Sequence, residues 1–346
     1  MLAAIFEASG RPLAIERVPD PAASTNELVV RVGACGVCGS DIHAAKHSDS
    51  VLGRPLPAGT ILGHEFAGEV VEVGPGAGER WRIGDRIAGF PIFSCGACEA
   101  CRSGRVAHCR AARFVGLSGA QGAYAEYACA SSAHSVPLAS HVSFGAASVA
   151  EPLAVCLHAA RFAMPLREAS VLILGAGPIG LLLAAVCRHH GARDVVVSDL
   201  VGARAERALL VGATGAIDAS REDTRESFRA IAGRRPTVVF DAAGGTGTLD
   251  LAMDLAGRDA RIVVVAPLSE KSPVATMAGF YKELTVGFAK AYTTGEFREA
   301  CRLIGTGAID VEPVITASVG LDAFPGVFES LALPGVHGKV LLEPLN

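Results

Sequence analysis

Cys95, Cys98, Cys101 and Cys109 follow the spacing C-x2-C-x2-C-x7-C. One loop of that length can wrap a tetrahedral ion, and four thiolates make a closed zinc site with no position left for substrate. Two disulfides are the competing use of the same residues. The N-terminal run MLAAIFEASG lacks the basic start of a secretory leader and carries an early Glu7, so it is no signal peptide and the expected location is the cytoplasm, where thiols favour metal over disulfide. Arg102, Arg105, Arg110 and Arg113 surround the cysteines. They read as a solvated basic loop that also helps to lower the thiol pKa values.

A second group is spread along the chain. Cys35-Gly-Val-Cys38-Gly-Ser40-Asp41-Ile-His43 precedes Gly63-His64-Glu65, and Glu151-Pro-Leu follows much later. A thiolate, an imidazole and a carboxylate from three separate loops suit a zinc ion with one open position. A buried Cys38 beside a hydrogen-bonded core His64 is the bland reading of the same residues. A redox Cys35/Cys38 pair is also open, although nothing around it has a thioredoxin pattern. The third group is Gly175-Ala-Gly177-Pro178-Ile179-Gly180, with Asp199 at the end of the next apolar run. The first glycine permits a tight turn, the second lets amides approach a pyrophosphate, and the third lets helix and strand pack closely. The helix N-terminus adds its partial positive charge. A carboxylate at Asp199 accepts ribose hydroxyls and repels a 2′-phosphate, which favours NAD over NADP. Arg204 is placed to cover the adenine, or else is a solvated helix arginine.

These groups need elements to hold them. The chain has 346 residues, half of them hydrophobic, 19% charged and 5% aromatic, with 40 glycines, ten cysteines and a net charge of -4. That length suggests two domains, and that composition excludes a disordered chain. The charge offers no support for nucleic acid or an anionic membrane as partner. The mean hydropathy of +0.38 is high. The longest uncharged apolar stretch, 169–187, is broken at its centre by three glycines and a proline, so it is expected to be soluble core rather than a membrane span. The first 150 residues read as short strands and loops, with candidate strands at Glu27–Val32, Gly68–Val73 and Arg82–Ala88. From about residue 153, apolar strands (171–174, 195–199, 216–218, 237–241, 262–265, 284–288) alternate with helices (178–190 and 203–211 first), the pattern of a parallel sheet covered on both faces. After residue 290 a helix over 295–304 and a β-like tail return to the style of the N-terminal part. The expected class is α/β, with the chain's two ends building one domain around an inserted one.

Taken together, CGVCGSDIH, GHEFAGEV, the four-cysteine lobe, EPL, GAGPIG and the SD pair occur in the order found in zinc-containing alcohol dehydrogenases. The chain resembles that branch of the medium-chain dehydrogenase/reductase family over essentially its whole length. Glu151 in place of the cysteine of liver-type enzymes, with Gly39 after Cys38, resembles the sorbitol, butanediol and threonine dehydrogenases. The resemblance implies a GroES-like β-barrel catalytic domain over 1–152 and 290–346, and a Rossmann doubly wound parallel sheet over 153–289. It implies two Zn²⁺ per subunit: a catalytic ion on Cys38 and His64 with Glu65 or Glu151, and a structural ion on Cys95, Cys98, Cys101 and Cys109. Cys35 is not a ligand. NAD is held by Gly175, Gly177, Pro178, Ile179, Gly180, Asp199 and Arg204, with Ala266 and Phe288. Hydride passes between a small-molecule alcohol or ketone and NAD(H), and the proton leaves through Ser40, the cofactor ribose and His43. Glu65 stands beside the metal, and Asp41 is expected to buttress the loop. The expected pocket wall comprises 44–60, Phe90, Phe93, Leu117 and 288–290, with ordinary packing an equal alternative for each. Ala44 and Ala45 after His43, and Ala289 after Phe288, depart from the polyol enzymes and point to a secondary alcohol, a diol or the matching ketone. The polyol and threonine-type substrates remain alternatives, as does a non-catalytic zinc-binding protein of the same fold. A homo-oligomer, dimer or tetramer, is expected, with no nucleic acid or membrane partner.

Overall fold

Apolar residues dominate the strand Glu27–Gly36, which is buried at nearly every position and so needs cover on both faces. In the computed structural model, which describes residues 1–47, 55–266, 273–333 and 335–345, this strand is the centre of a seven-stranded sheet. The order is Val136–Pro137, Arg86–Ala88, Glu65–Val73, Glu27–Gly36, Lys339–Leu342 and Ile315–Val319, with Tyr127–Ser131 also paired to Glu27–Gly36. The C-terminal strand Lys339–Leu342 lies antiparallel to Glu27–Gly36 and parallel to Ile315–Val319. Of the candidate strand Arg82–Ala88, only Arg86–Ala88 pairs. Arg82–Asp85 is a turn, because the Arg82 N–H donates to the Asp85 carboxylate at 2.8 Å and Gly84 takes a positive φ.

Residues 170–288 build a second sheet of six strands, all parallel, in the order Gly215–Asp218, Asp194–Asp199, Ser170–Leu174, Val238–Asp241, Arg261–Val264 and Thr285–Phe288. Ser170–Leu174 is wholly buried, and the helix Pro178–His189 that follows buries eight consecutive residues. The apolar stretch 169–187 is therefore the middle of this core. Among the described residues no helix is long and apolar enough to cross a membrane. Pro178 occupies the first turn of its helix, and Gly191 follows with φ +80°, as a proline start and glycine stop require. The segment 203–211 is a short α-helix, Gly202–Arg207, that tightens into a 3-10 turn ending at Gly212 in the left-handed region. The helix Thr294–Gly305 is fixed by a capping box between Thr293 and Glu296. Among the described residues the last strand, Thr285–Phe288, pairs on one side only, and it is largely exposed.

Candidate active site

Cys38 lies between the strand Glu27–Gly36 and the helix Gly39–His47, while His64 immediately precedes, and Glu65 begins, the neighbouring strand Glu65–Val73. Pairing between those strands sets Gly36 opposite Glu65, and so brings the two sequence segments together. Donor atoms of Cys38, His64 and Glu65 all lie within 4.8 Å of one another. Asp41, fully buried, organises the group. Its carboxylate accepts the Cys38 N–H at 3.1 Å, the Gly63 N–H at 3.4 Å and the Tyr124 hydroxyl at 2.6 Å, and it meets His64 Nδ1 at 3.2 Å. With Nδ1 taken, Nε2 is the nitrogen left to ligate, the usual arrangement of a metal-binding histidine held by a carboxylate. Burial opposes a charge on His64, but the Asp41 carboxylate outweighs it and raises the pKa well above the ordinary value. The site thus attracts positive charge, which a metal ion would supply in place of the proton.

Glu65 has a partner that spacing gave no hint of. Lys339 is 2% exposed, and its Nζ donates to both Glu65 oxygens, at 2.8 and 2.5 Å, and to the Val37 carbonyl at 2.8 Å. Burial alone would discharge this lysine; the Glu65 carboxylate raises its pKa instead. Glu151, in the first turn of the helix Ala150–Ala163, is outside the three-donor group. Burial pushes its carboxyl up to about 7, His64 opposes that, and the Glu65 charge adds to it. Glu151 thus feels the charges of both His64 and Glu65 while its own oxygens lie outside the three-donor group. The Ser40 hydroxyl is buried with no hydrogen-bond partner among the described residues, as a group that meets substrate or cofactor would be. His43, one turn along the helix, stacks on His47 at 4.5 Å.

The four cysteines of the lobe also converge, their donor atoms within 4.8 Å of one another. Sγ–Sγ distances are 3.5 Å for Cys98–Cys101 and Cys95–Cys109, and 3.8 Å for Cys95–Cys101. Such separations suit a tetrahedral ion and exceed an S–S bond, so all four are free thiols. Amide N–H groups of Ala97 and Cys98 aimed at Cys95 bring its thiol down to about 6. The arginines expected to do this do not: Arg113 pairs with Glu27 at 2.7 Å and lies over Phe93, and Arg105 donates to Ser103. Cys35, Cys156, Cys187 and Cys301 are buried, with thiols raised by burial, and Cys129 is half-buried. None of the five enters either cluster.

At the glycine turn, Gly175 has φ +95° and Gly177 has open space around it, while a side chain on Gly180 would strike the Gly175 carbonyl at 1.9 Å. These are the turn, the open approach for a pyrophosphate and the close helix packing that the motif calls for. Asp199 ends its strand and accepts the Ala176 and Val201 N–H groups at 2.7 and 2.8 Å. Its carboxylate is thereby fixed beside the turn. The Nε of Arg204 is buried without a partner. Ala266 follows the strand Arg261–Val264, and Phe288, 63% exposed, ends the last one. Of the expected pocket wall, Phe90 is instead core. It is fully buried and packs edge-on against His134, Tyr292 and Phe297. Residues 48–54 of the expected 44–60 wall lie outside the described residues. A cavity of about 390 Å³ is lined by 55–60 and 117–121. It includes Leu117 but none of the metal-site donors.

The chain is similar to known dehydrogenases. Residues 24–140 match the alcohol dehydrogenase GroES-like domain family, and 178–306 match the zinc-binding dehydrogenase family. An L-threonine 3-dehydrogenase of Shewanella baltica is 30% identical over 328 residues, 94% of each chain. A zinc-binding dehydrogenase of Sinorhizobium meliloti, solved with NADP, is 31% identical with a TM-score of 0.87 over 99% of both chains. An alcohol dehydrogenase of Escherichia coli CFT073, solved with NADH, is 30% identical with a TM-score of 0.88 over 99% of both chains.

Proposed function

The chain belongs to the zinc-dependent, NAD(P)-linked alcohol dehydrogenases of the medium-chain dehydrogenase/reductase family, and from that premise we propose that it interconverts a small secondary alcohol or diol and the matching ketone, with NAD(H) as hydride partner. The observation that carries this reading is the open group of Cys38, His64 and Glu65 next to the unpartnered hydroxyl of Ser40. We assign the catalytic zinc to Cys38 and His64, completed by Glu65 or Glu151, and a second, structural zinc to Cys95, Cys98, Cys101 and Cys109. Zinc at the first site supplies a Lewis acid that stabilises negative charge on a substrate oxygen.

The chain's own residues do the rest. Asp41 holds His64 in one tautomer. Ser40 takes the substrate's hydroxyl proton and passes it outward toward His43. Gly175–Gly180 cradle the pyrophosphate, and Asp199 takes the adenosine ribose, which favours NAD. Arg204 flanks the adenine, with Ala266 and Phe288 on the nicotinamide side. The catalytic domain comprises 1–152 and 290–346, and the dinucleotide-binding domain 153–289. The unpaired edge of Thr285–Phe288 suits pairing with a second copy, so the working form is a homo-oligomer, in the cytoplasm. Ala44, Ala45 and Ala289 are where the chain departs in sequence from the polyol enzymes, which ranks a small or apolar alcohol first. The likeness to an L-threonine 3-dehydrogenase makes a hydroxy amino acid the second candidate.

The test is a panel of secondary alcohols, diols, polyols and L-threonine with NAD⁺ and with NADP⁺, followed by absorbance at 340 nm. Turnover is expected with NAD⁺ on the alcohols or diols. No turnover, with no quenching of NADH fluorescence on mixing, would sink the enzymatic reading in favour of a zinc-binding protein without catalysis.

A further inference from the structure

Tyr292 lies four residues beyond the last strand of the parallel sheet and immediately before the capping residue Thr293 of the helix Thr294–Gly305. It is 3% exposed. Its ring is clamped, stacked at 5.9 Å on Phe297 and edge-on at 6.0 Å to Phe90. Ala291, just before it, sits in the left-handed region with φ +53°, which turns the chain at this point. A tyrosine so enclosed usually finds a partner for its hydroxyl. Here the hydroxyl is buried and makes no hydrogen bond of good geometry. The acceptor facing it is the carboxyl of Glu151, within reach of a side-chain hydrogen bond.

The two carboxylates beside Cys38 and His64 are therefore treated differently. Glu65 has both oxygens engaged by the buried ammonium of Lys339. Among the described residues Glu151 has no such cation bonded to it, and the phenol of Tyr292 is what faces it. We propose that Tyr292 is a positioning residue: its hydroxyl binds one oxygen of Glu151 and thereby presents the other to the metal held by Cys38 and His64. The inference rests on the reading above that Glu151 takes part in the catalytic metal site. It adds that Glu151, rather than the lysine-bound Glu65, is the carboxylate whose aim is adjustable. The hydroxyl belongs to the segment joining the dinucleotide-binding sheet to the catalytic domain, so movement of that segment would change the metal's ligand set.

The experiment uses the full-length holoenzyme with Co²⁺ in the open site and Zn²⁺ in the cysteine lobe. Tyr292→Phe keeps the ring packing and Glu151→Gln keeps the side-chain volume; circular dichroism confirms that both fold. The visible d–d spectrum of Co²⁺ reports its ligand set directly, and the rate of loss to a chelator reports how firmly the ion is held. Tyr292→Phe is expected to shift the spectrum in the same direction as Glu151→Gln and to speed metal loss about tenfold. The double variant is expected to lose no more than Glu151→Gln alone. If Glu151→Gln shifts the spectrum and Tyr292→Phe does not, the positioning role is wrong while Glu151 remains a ligand. If Glu151→Gln leaves the spectrum unchanged, Glu151 is no ligand and the proposal falls with that reading.

Discussion

Two clusters of side chains that could hold a metal ion share this chain and differ in almost every physical respect. The lobe gathers four identical ligands within fifteen residues, near the surface, with Cys95 exposed. The other group draws Cys38, His64 and Glu65 from two strand ends and buries the histidine and the carboxylate. The lobe's Cys95 thiol is lowered by backbone amides of its own loop. The open group needs, besides the nearby Asp41, side chains from far along the chain: Tyr124 and Lys339. A closed site can be built locally because it only has to hold an ion. A site that admits substrate needs an empty position, and a surrounding fold must keep it empty without collapse.

The sharpest way to break the comparison is Cys38→Ser. It should lower kcat/KM by several kcal/mol of barrier, on the order of 10³-fold, while zinc stays bound in the lobe. Full turnover with metal in the lobe alone would refute the division of labour. Lys339→Met comes next, since it strands the buried Glu65 charge. A loss of about 3–5 kcal/mol in denaturant unfolding is expected, and recovery in Lys339→Met/Glu65→Gln would show that the lone charge is the cause.

A smaller effect lies at the seam between the two regions, where the Thr294 N–H donates to the lobe's Gly104 carbonyl. There burial opposes ionisation of Glu296, but His158, the Thr293 amide and Arg161 outweigh it and hold its carboxyl down to about 2. A carboxyl depressed from 4.5 to about 2 stabilises the fold fully above pH 4.5, and that contribution disappears as pH falls toward 2. Glu296→Gln should cost about 1–2 kcal/mol at pH 7, after allowance for solvent screening, and the gap between variant and parent should close in acid-titrated thermal melts. Cys98→Ser should change turnover least, by less than about tenfold (about 1.4 kcal/mol). It should release the lobe's ion and abolish hydrogen-exchange protection in residues 95–109. A large fall in kcat would mean that the lobe does more than hold structure.

The sequence announces whatever is local. The spacing of Cys95 to Cys109, the turn Gly175–Gly180 and the paired strands at 27–32 and 68–73 can be read because each is set by neighbours along the chain. The parallel sheet is equally plain, since strands buried on both faces leave uninterrupted apolar runs. Lys339 stayed hidden because its partner lies 274 residues away, and a lysine near a strand end normally signals solvent. Tyr292 and Tyr124 were missed for a related reason: a tyrosine's role depends on what its hydroxyl meets, and no spacing records that. For Phe90 the choice between core and pocket wall stayed open in the sequence, because an aromatic fits either; burial decides for the core. Arg82–Asp85 looked like strand until Gly84 and the Asp85 side chain turned it.

The position of Lys339 also bears on the order in which the protein is made. Glu65 emerges from the ribosome early, and its counter-ion arrives only after the entire parallel sheet, which ends at Phe288, has been synthesised. Until then the seven-stranded sheet lacks the strand that fills the gap between Glu27–Gly36 and Ile315–Val319, and the carboxylate has no cation. The dinucleotide-binding sheet is continuous in sequence and can complete itself first. Nascent chains stalled before residue 339 should therefore bind a dinucleotide while lacking a finished metal centre, so the reactive half of the molecule is switched on last.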